Sequence, residues 1–129
     1  MERYRISEAA ALLGVSPDTV RRWVDSGRLP ATRDAHGHRL LAGPELAAFA
    51  RSLAAADHAA GVRSSARNRF QGIVTAVHRD SVMAQVEIQA GPFRVVSLMS
   101  REAADDLDLR VGSRACAVVK STNVIVERA

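Results

Sequence analysis

Two periods divide the chain. Up to about residue 54, apolar positions recur three and four apart, the spacing of helices with one buried side. "ISEAAALLG" (6–14) predicts a short helix, with Ser7 as its N-cap and Gly14 as its C-terminal stop. "SPDTVRRWVDSG" (16–27) repeats the grammar: Ser16 caps, Pro17 suits the first turn and Gly27 closes. Val20, Trp23 and Val24 then face a core, which turns Thr19, Arg21 and Arg22 towards solvent. In "RLPATRDAHGHRLLAG" (28–43) two extended pieces flank "DAHG", which carries hairpin-turn chemistry. "GPELAAFARSLAAADHAAG" (43–61) predicts a helix starting at Pro44 and Glu45, with a stripe of Leu46, Phe49 and Leu53. Its alanine-rich end has little to bury and reads as a linker.

From Arg67 the period becomes two. "FQGIVTAVHRD", "SVMAQVEIQ", "FRVVSLMS", "SRACAVVK" and "NVIVER" predict short strands, with a turn at Gly91–Pro92. "SREAADDLDL" (100–109) interrupts them as one helix capped by Ser100, its acids near the positive end. Several strands and one helix in about 65 residues predict a small barrel. The expected fold class is α+β, a helical unit followed by a β-barrel. The expected boundaries are 1–57 for the first domain, 58–64 for a linker and 65–129 for the second. Units this small bury modest cores and lean on partner chains, so an oligomer is expected.

Charge alters this picture only locally. The 129 residues carry a formal net charge of +4, and 17 of the 18 basic residues are arginine. Residues 1–63 and 64–129 each hold 9 basic and 7 acidic residues, so neither half has a charged tail. Between Arg21 and Arg39, however, five arginines face only Asp25 and Asp34. Cys116 is the single cysteine, placed as a small strand residue. It allows no intrachain disulfide, which suits a reducing cytoplasm. No apolar signal stretch or membrane-length segment is apparent, so a soluble cytoplasmic protein is expected.

Two short helices joined by a glycine-containing turn form a helix-turn-helix. Thr19, Arg21 and Arg22 on the second helix suit phosphates or base edges in a major groove. The hairpin after it adds Arg28, Arg33, His36, His38 and Arg39. His36 and His38 lack the companions of a metal site, and none is expected. The stretch 4–41, with "ISEAAALLGVS", "TVRRWVDSGRLP" and "GHR", resembles the MerR-like and excisionase-like winged helix-turn-helix domains. The resemblance implies contact with double-stranded DNA through the second helix and the wing, at Thr19, Arg21, Arg22, Arg28, His38 and Arg39.

A second chemistry recurs in "SARN" (65–68), "LMSREA" (98–103) and "KSTN" (120–123). Each lies at a strand end or helix start and offers hydroxyls, positive charge or free backbone N–H groups, with Glu102 the one carboxylate. Four or five charge-assisted hydrogen bonds, about 1.5–3 kcal/mol each, suffice to hold a small anion. A fully deprotonated tetrahedral oxyanion only accepts hydrogen bonds, whereas phosphate near neutral pH keeps a proton. A donor set therefore favours molybdate, tungstate or sulfate.

Residues 65–127, with "SARN", the following "GIV" and the closing "VVKSTNVIV", resemble the molbindins, the Mop or TOBE domain. The resemblance implies a five-stranded OB-like barrel and molybdate or tungstate held between subunits. Matching positions are Ser65, Arg67, Ser100, Lys120 and Ser121, with backbone at Ala66 and Thr122. Three departures stand out: Ser100 replaces the usual Thr, Ala103 the usual Ser, and "LDL" (107–109) the usual Leu-Gly-Leu.

Together these features predict a molybdate- or tungstate-responsive DNA-binding regulator, a homo-oligomer (dimer or hexamer) through the barrel, with no catalytic chemistry. Two other readings stay open at this point. One is an intracellular molybdate or tungstate buffer. The other is an excisionase-like architectural DNA binder whose barrel only oligomerises.

Overall fold

The computed structural model describes residues 1–54 and 63–129, and the chain divides into two compact units, Met1–Gly61 and Val62–Ala129. The expected linker at 58–64 and the end of the alanine-rich helix fall largely outside the described residues.

The first unit runs β1 (Arg3–Arg5), α1 (Ile6–Leu13), α2 (Pro17–Asp25), β2 (Thr32–Arg33), β3 (Arg39–Ala42) and α3 (Gly43–Ala54). The three strands form an antiparallel sheet in the order β1-β3-β2. Strand β1 was not expected, because three residues are too short to display a period of two. Its presence moves the start of α1. The chain passes from extended backbone at Arg5 straight into the helix, so Arg5, not Ser7, is the N-cap. The Glu8 carboxylate accepts the Arg5 N–H at 2.9 Å and stabilises that first turn. Gly14 ends α1 with φ at 69°, the left-handed conformation that glycine adopts without strain. Helix α2 begins as expected: Ser16 Oγ accepts the Thr19 N–H at 3.2 Å, with Pro17 in the first turn.

Ala9, Ala10, Val20, Leu29, Leu41 and Leu46 form the buried core. Trp23, Val24 and Phe49 close it as half-buried neighbours, the Trp23 and Phe49 rings 4.9 Å apart. Burying Val20, Leu29 and Leu41 contributes about 2 kcal/mol each, and the three come from α2, the turn after it and β3. The wing and second helix are thus fixed to one core. Leu53 departs from the expected stripe and is exposed, since the last turn of α3 runs past the core's edge.

The second unit contains β4 (Asn68–Arg79), β5 (Met83–Ala90), β6 (Phe93–Ser100), α4 (Arg101–Asp106) and β7 (Arg114–Val119). The sheet is antiparallel throughout, in the order β6-β5-β4-β7. Strand β4 serves two neighbours: Asn68–Ile73 pair with β7, and Ile73–Arg79 pair with β5 across a bulge between Val74 and Ala76. A Cβ at Gly72 would lie 2.3 Å from the Gln89 carbonyl oxygen, so only glycine permits β4 and β5 to approach this closely. Together the glycine and the bulge curl the sheet. Ala84, Val86, Ile88 and Ala90 alternate into its concave side, where Val74 and Leu109 complete the core. Ser100 Oγ accepts the Ala103 N–H at 3.1 Å and caps α4 as expected. Asp108 holds φ at 50°, the one non-glycine residue with positive φ among those described.

A further expectation fails in the second unit. "NVIVER" is not a strand: Ser121–Asn123 form a single 3-10 turn, and Val124, Ile125 and Val126 stay unpaired at 46, 87 and 87% exposure. Apolar, β-branched residues show readiness to pair, but a strand also needs an edge within reach. The turn, closed by Asn123 N–H to the Lys120 carbonyl at 2.9 Å, takes this segment off its own sheet.

Candidate functional site

The ladder between β4 and β7 decides which oxyanion candidates meet. Asn68 stands opposite Val119, so 65–67 and 120–122 lie at the same end of neighbouring strands. Asn68 Nδ2 donates to the Val119 carbonyl at 3.0 Å and pins this corner. Ser65, Arg67, Lys120, Ser121 and Thr122 are exposed there, and Ala66 is half-buried. Arg67 Nη1 donates to the Ser64 carbonyl at 3.0 Å, and Ser64 Oγ accepts the Ala66 N–H at 3.1 Å. Ser64 and Asn68 thus shape a loop whose visible signal lay in Ser65 and Arg67. Among the described residues, neither Arg67 nor Lys120 is ion-paired to a carboxylate.

Ser100 is elsewhere. It ends β6, the edge strand opposite β7, and pairs with Met83 beyond the β4–β5 turn, at the far end of β4. Its surroundings mix signs. A cavity of about 580 Å³ there is lined by Ser100, Arg101, Glu102, Asp105 and Asp106. Arg79 and Arg101 both reach Asp105, at 3.1 and 3.6 Å. Arg101 also donates its N–H to the Val82 carbonyl at 2.7 Å and Nη1 to the Asp80 carbonyl at 3.2 Å, joining α4 to the β4–β5 turn. In that turn the Met83 and Val82 N–H groups hold the Asp80 carboxyl below its ordinary range, with Arg101 adding to the effect against some desolvation. The first corner therefore offers donors, and the second offers one hydroxyl among carboxylates.

In the first unit, the expected DNA-facing residues are tethered rather than free. Thr19 Oγ1 lies 2.9 Å from Ser16 Oγ and accepts from Arg22 Nη2 at 3.3 Å, so Thr19 belongs partly to the helix cap. Arg21 pairs with Asp18 at 2.5 Å, and Arg28 lies 5.7 Å from the Phe49 ring centroid. In the wing, Asp34 Oδ1 accepts the N–H groups of His36 and His38 at 2.8 and 2.9 Å, and His38 Nδ1 lies 3.5 Å from the same carboxylate. Desolvation opposes ionisation at Asp34, but these N–H groups and the His38 ring outweigh it and lower its pKa. Arg39 Nη1 bonds Asp25 Oδ1 at 2.7 Å. Asp25 and Asp34 were visible in the sequence only as charges that reduce the local excess. The pairing of Asp25 with Arg39 depends on the turn from α2 into the hairpin.

Comparison with known proteins assigns both units to domain families. A TOBE domain family model matches residues 64–126, and a helix-turn-helix domain model matches residues 3–54. The second half is 40% identical over 63 residues to molybdenum-pterin-binding protein 3 of Clostridium pasteurianum, covering 48% of this chain and 93% of that protein. It is 39% identical over 66 residues to the molybdenum transport protein ModE of Herbaspirillum seropedicae, covering 50% of this chain. The match spans 24% of that ModE's length. The solved structure of a molybdate binding protein from Sporomusa ovata superposes with a TM-score of 0.50 at 27% identity, over 52% of this chain and all of that one. The chain belongs to the TOBE-domain family, and it carries a helix-turn-helix domain ahead of that domain. Asp108, in "LDL" (107–109), holds a positive φ, a conformation that glycine adopts with less strain.

Proposed function

We propose that this protein is a cytoplasmic transcriptional regulator that binds DNA through its first unit and molybdate or tungstate through its second, with no covalent chemistry of its own. The observation that carries the reading is the union, in one chain, of a helix-turn-helix and a TOBE domain whose relatives include a molybdenum transport protein ModE and small molybdenum-pterin-binding proteins. Among the described residues no helix is long and apolar enough to cross a membrane. Ser65, Arg67, Lys120, Ser121 and the backbone at Ala66 and Thr122 supply donors at one corner, and Ser100 supplies one at another. The DNA surface is formed by Thr19, Arg21, Arg22, Arg28 and His38, with Arg39 behind them. Anion binding alters DNA binding only to the extent that the anion prefers one arrangement of the assembly.

Calorimetry of the full chain with molybdate, tungstate, sulfate and phosphate tests the ligand. Molybdate or tungstate should bind more tightly than phosphate. Arg67→Ala and Lys120→Ala should each weaken binding about tenfold or more, the worth of one charge-assisted hydrogen bond. Unchanged affinity in both variants removes the site. Gel shifts on genomic fragments with and without molybdate test the regulation, and no duplex binding at low salt would leave only an anion buffer.

A further inference from the structure

Three aspartates of the first unit each hold one basic residue of the expected DNA surface. Asp18 holds Arg21 three residues along one helix, and Asp34 holds His38 within one hairpin. The third pair joins two elements. Asp25 is the last residue of α2, Arg39 is the first of β3, and they meet at 2.7 Å across 14 residues of sequence. The Arg39 side chain is also the most covered of the three basic ones, 27% exposed against 51% for Arg21 and 55% for His38. Strand β3 is held by β1 and by Leu41 in the core, but β2 pairs with it only through Thr32 and Arg33, so the turn end of the hairpin has few ladder bonds to hold its angle.

We propose that Asp25 and Arg39 form a positioning pair that fixes the wing against the second helix, and that Arg39 acts through this contact rather than as a phosphate ligand. The inference rests on the DNA-binding reading above. It makes a prediction opposite in sign to simple electrostatics. An aspartate near DNA repels phosphates, so neutralising it should tighten binding. That holds for Asp18, whose partner sits on the same helix. At Asp25 the lost alignment of the wing should outweigh the removed repulsion, because misplacing several contacts costs more than one distant charge gains.

The experiment is fluorescence anisotropy of the full chain on a labelled duplex over a range of salt, for wild type, Asp18→Asn, Asp25→Asn, Arg39→Gln and the Asp25→Asn/Arg39→Gln double variant. Asp18→Asn should bind as tightly as wild type or more so. Asp25→Asn should bind about fivefold more weakly, with the salt slope unchanged. The double variant should be no worse than Arg39→Gln alone. Arg39→Gln should also keep the wild-type slope, whereas loss of a phosphate contact lowers it by about one. Thermal melts identify any variant that is merely unfolded, and amide exchange across residues 32–42 of the free protein should be faster in Asp25→Asn if the pair holds the hairpin. Equal or tighter binding by folded Asp25→Asn, or a slope lowered by about one in Arg39→Gln, overturns the proposal. If wild type binds no duplex, the regulator reading fails, and unchanged exchange in Asp25→Asn then also overturns the positioning role.

Discussion

At Gly72 a single missing atom decides the shape of a domain. A Cβ there would meet the Gln89 carbonyl oxygen at 2.3 Å and the Ile88 side chain at 2.8 Å, and backbone cannot move aside as a flexible side chain can. Gly72→Ala should lower the unfolding free energy of the second unit by about 1–3 kcal/mol, the usual cost of overpacking, as read by urea denaturation. Asp108 presents the converse case. It holds φ at 50° and pairs only with Arg110, both side chains well exposed, so the pair offsets little of the backbone cost. Asp108→Gly should raise stability by up to about 1 kcal/mol, and Asp108→Val should lower it. Asp80 sets a pH dependence. Its pKa is lowered in the folded state by the Met83 and Val82 N–H groups, so its contribution is complete above the unfolded carboxylate pKa of about 3.9 and disappears as pH falls through the lower folded value. Below the ordinary range the unfolded chain binds the proton first, which is why acid weakens the fold there. Denaturation of Asp80→Asn should show a smaller loss over the same acid window than wild type does.

At the scale of elements, the unpaired tail is the most informative. Three β-branched residues, Val124, Ile125 and Val126, are left in water, with extended backbone at Val124. The same unit leaves an apolar groove of about 420 Å³, lined by Val86, Ile88, Val95, Met99, Ala117 and Val119. It lies between β6 and β7, the two open edges of the sheet. An exposed edge and an exposed strand-former are complementary, so pairing of the edge with the tail of a second copy is the expected joint. The full chain should therefore be at least dimeric in light scattering at tens of micromolar, and the chain ending at Lys120 should be monomeric. A truncated chain that keeps the full assembly state would rule out this joint. The tail also marks the limit of what the sequence made legible. Period and caps disclosed every helix and four of the strands of the second unit, because each depends on its own residues: Ser16, Gly14 and Ser100 act locally, and Ala84, Val86 and Ile88 alternate without help. β1 was hidden by its brevity and by pairing with β3, 35 residues away at the nearest pair, Arg5 with Leu40. "NVIVER" was legible as a strand-former, but its lack of a partner was not, since its residues say nothing of whether an edge lies within reach.

For the whole molecule, the placement of the oxyanion candidates sets the last prediction. Ser65, Arg67, Lys120 and Ser121 stand at the β4–β7 corner, and Ser100 stands at the opposite edge and opposite end of the same sheet. Within one copy of this sheet the two corners lie at opposite edges and ends, so a site using both is expected to take one corner from each of two copies. In a two-fold pair such sites occur twice, each made of one copy's first corner and its partner's second. This is testable by mixing. Arg67→Ala removes the charge of the first corner, and Ser100→Gly removes the hydroxyl of the second while keeping a residue that caps α4 nearly as well. Each variant alone should bind molybdate poorly at every such site. When the two are denatured and refolded together, about half the pairs are mixed under random pairing. In each mixed pair one site collects both defects, and the other collects none. Calorimetry should then recover about a quarter of the wild-type sites at wild-type affinity. Mixed material that binds no better than the separate variants would mean that Ser100 and Arg67 do not share an anion across two copies. The β4–β7 corner would then have to hold it without Ser100, and the acids beside Ser100 would mark that corner as no anion site at all.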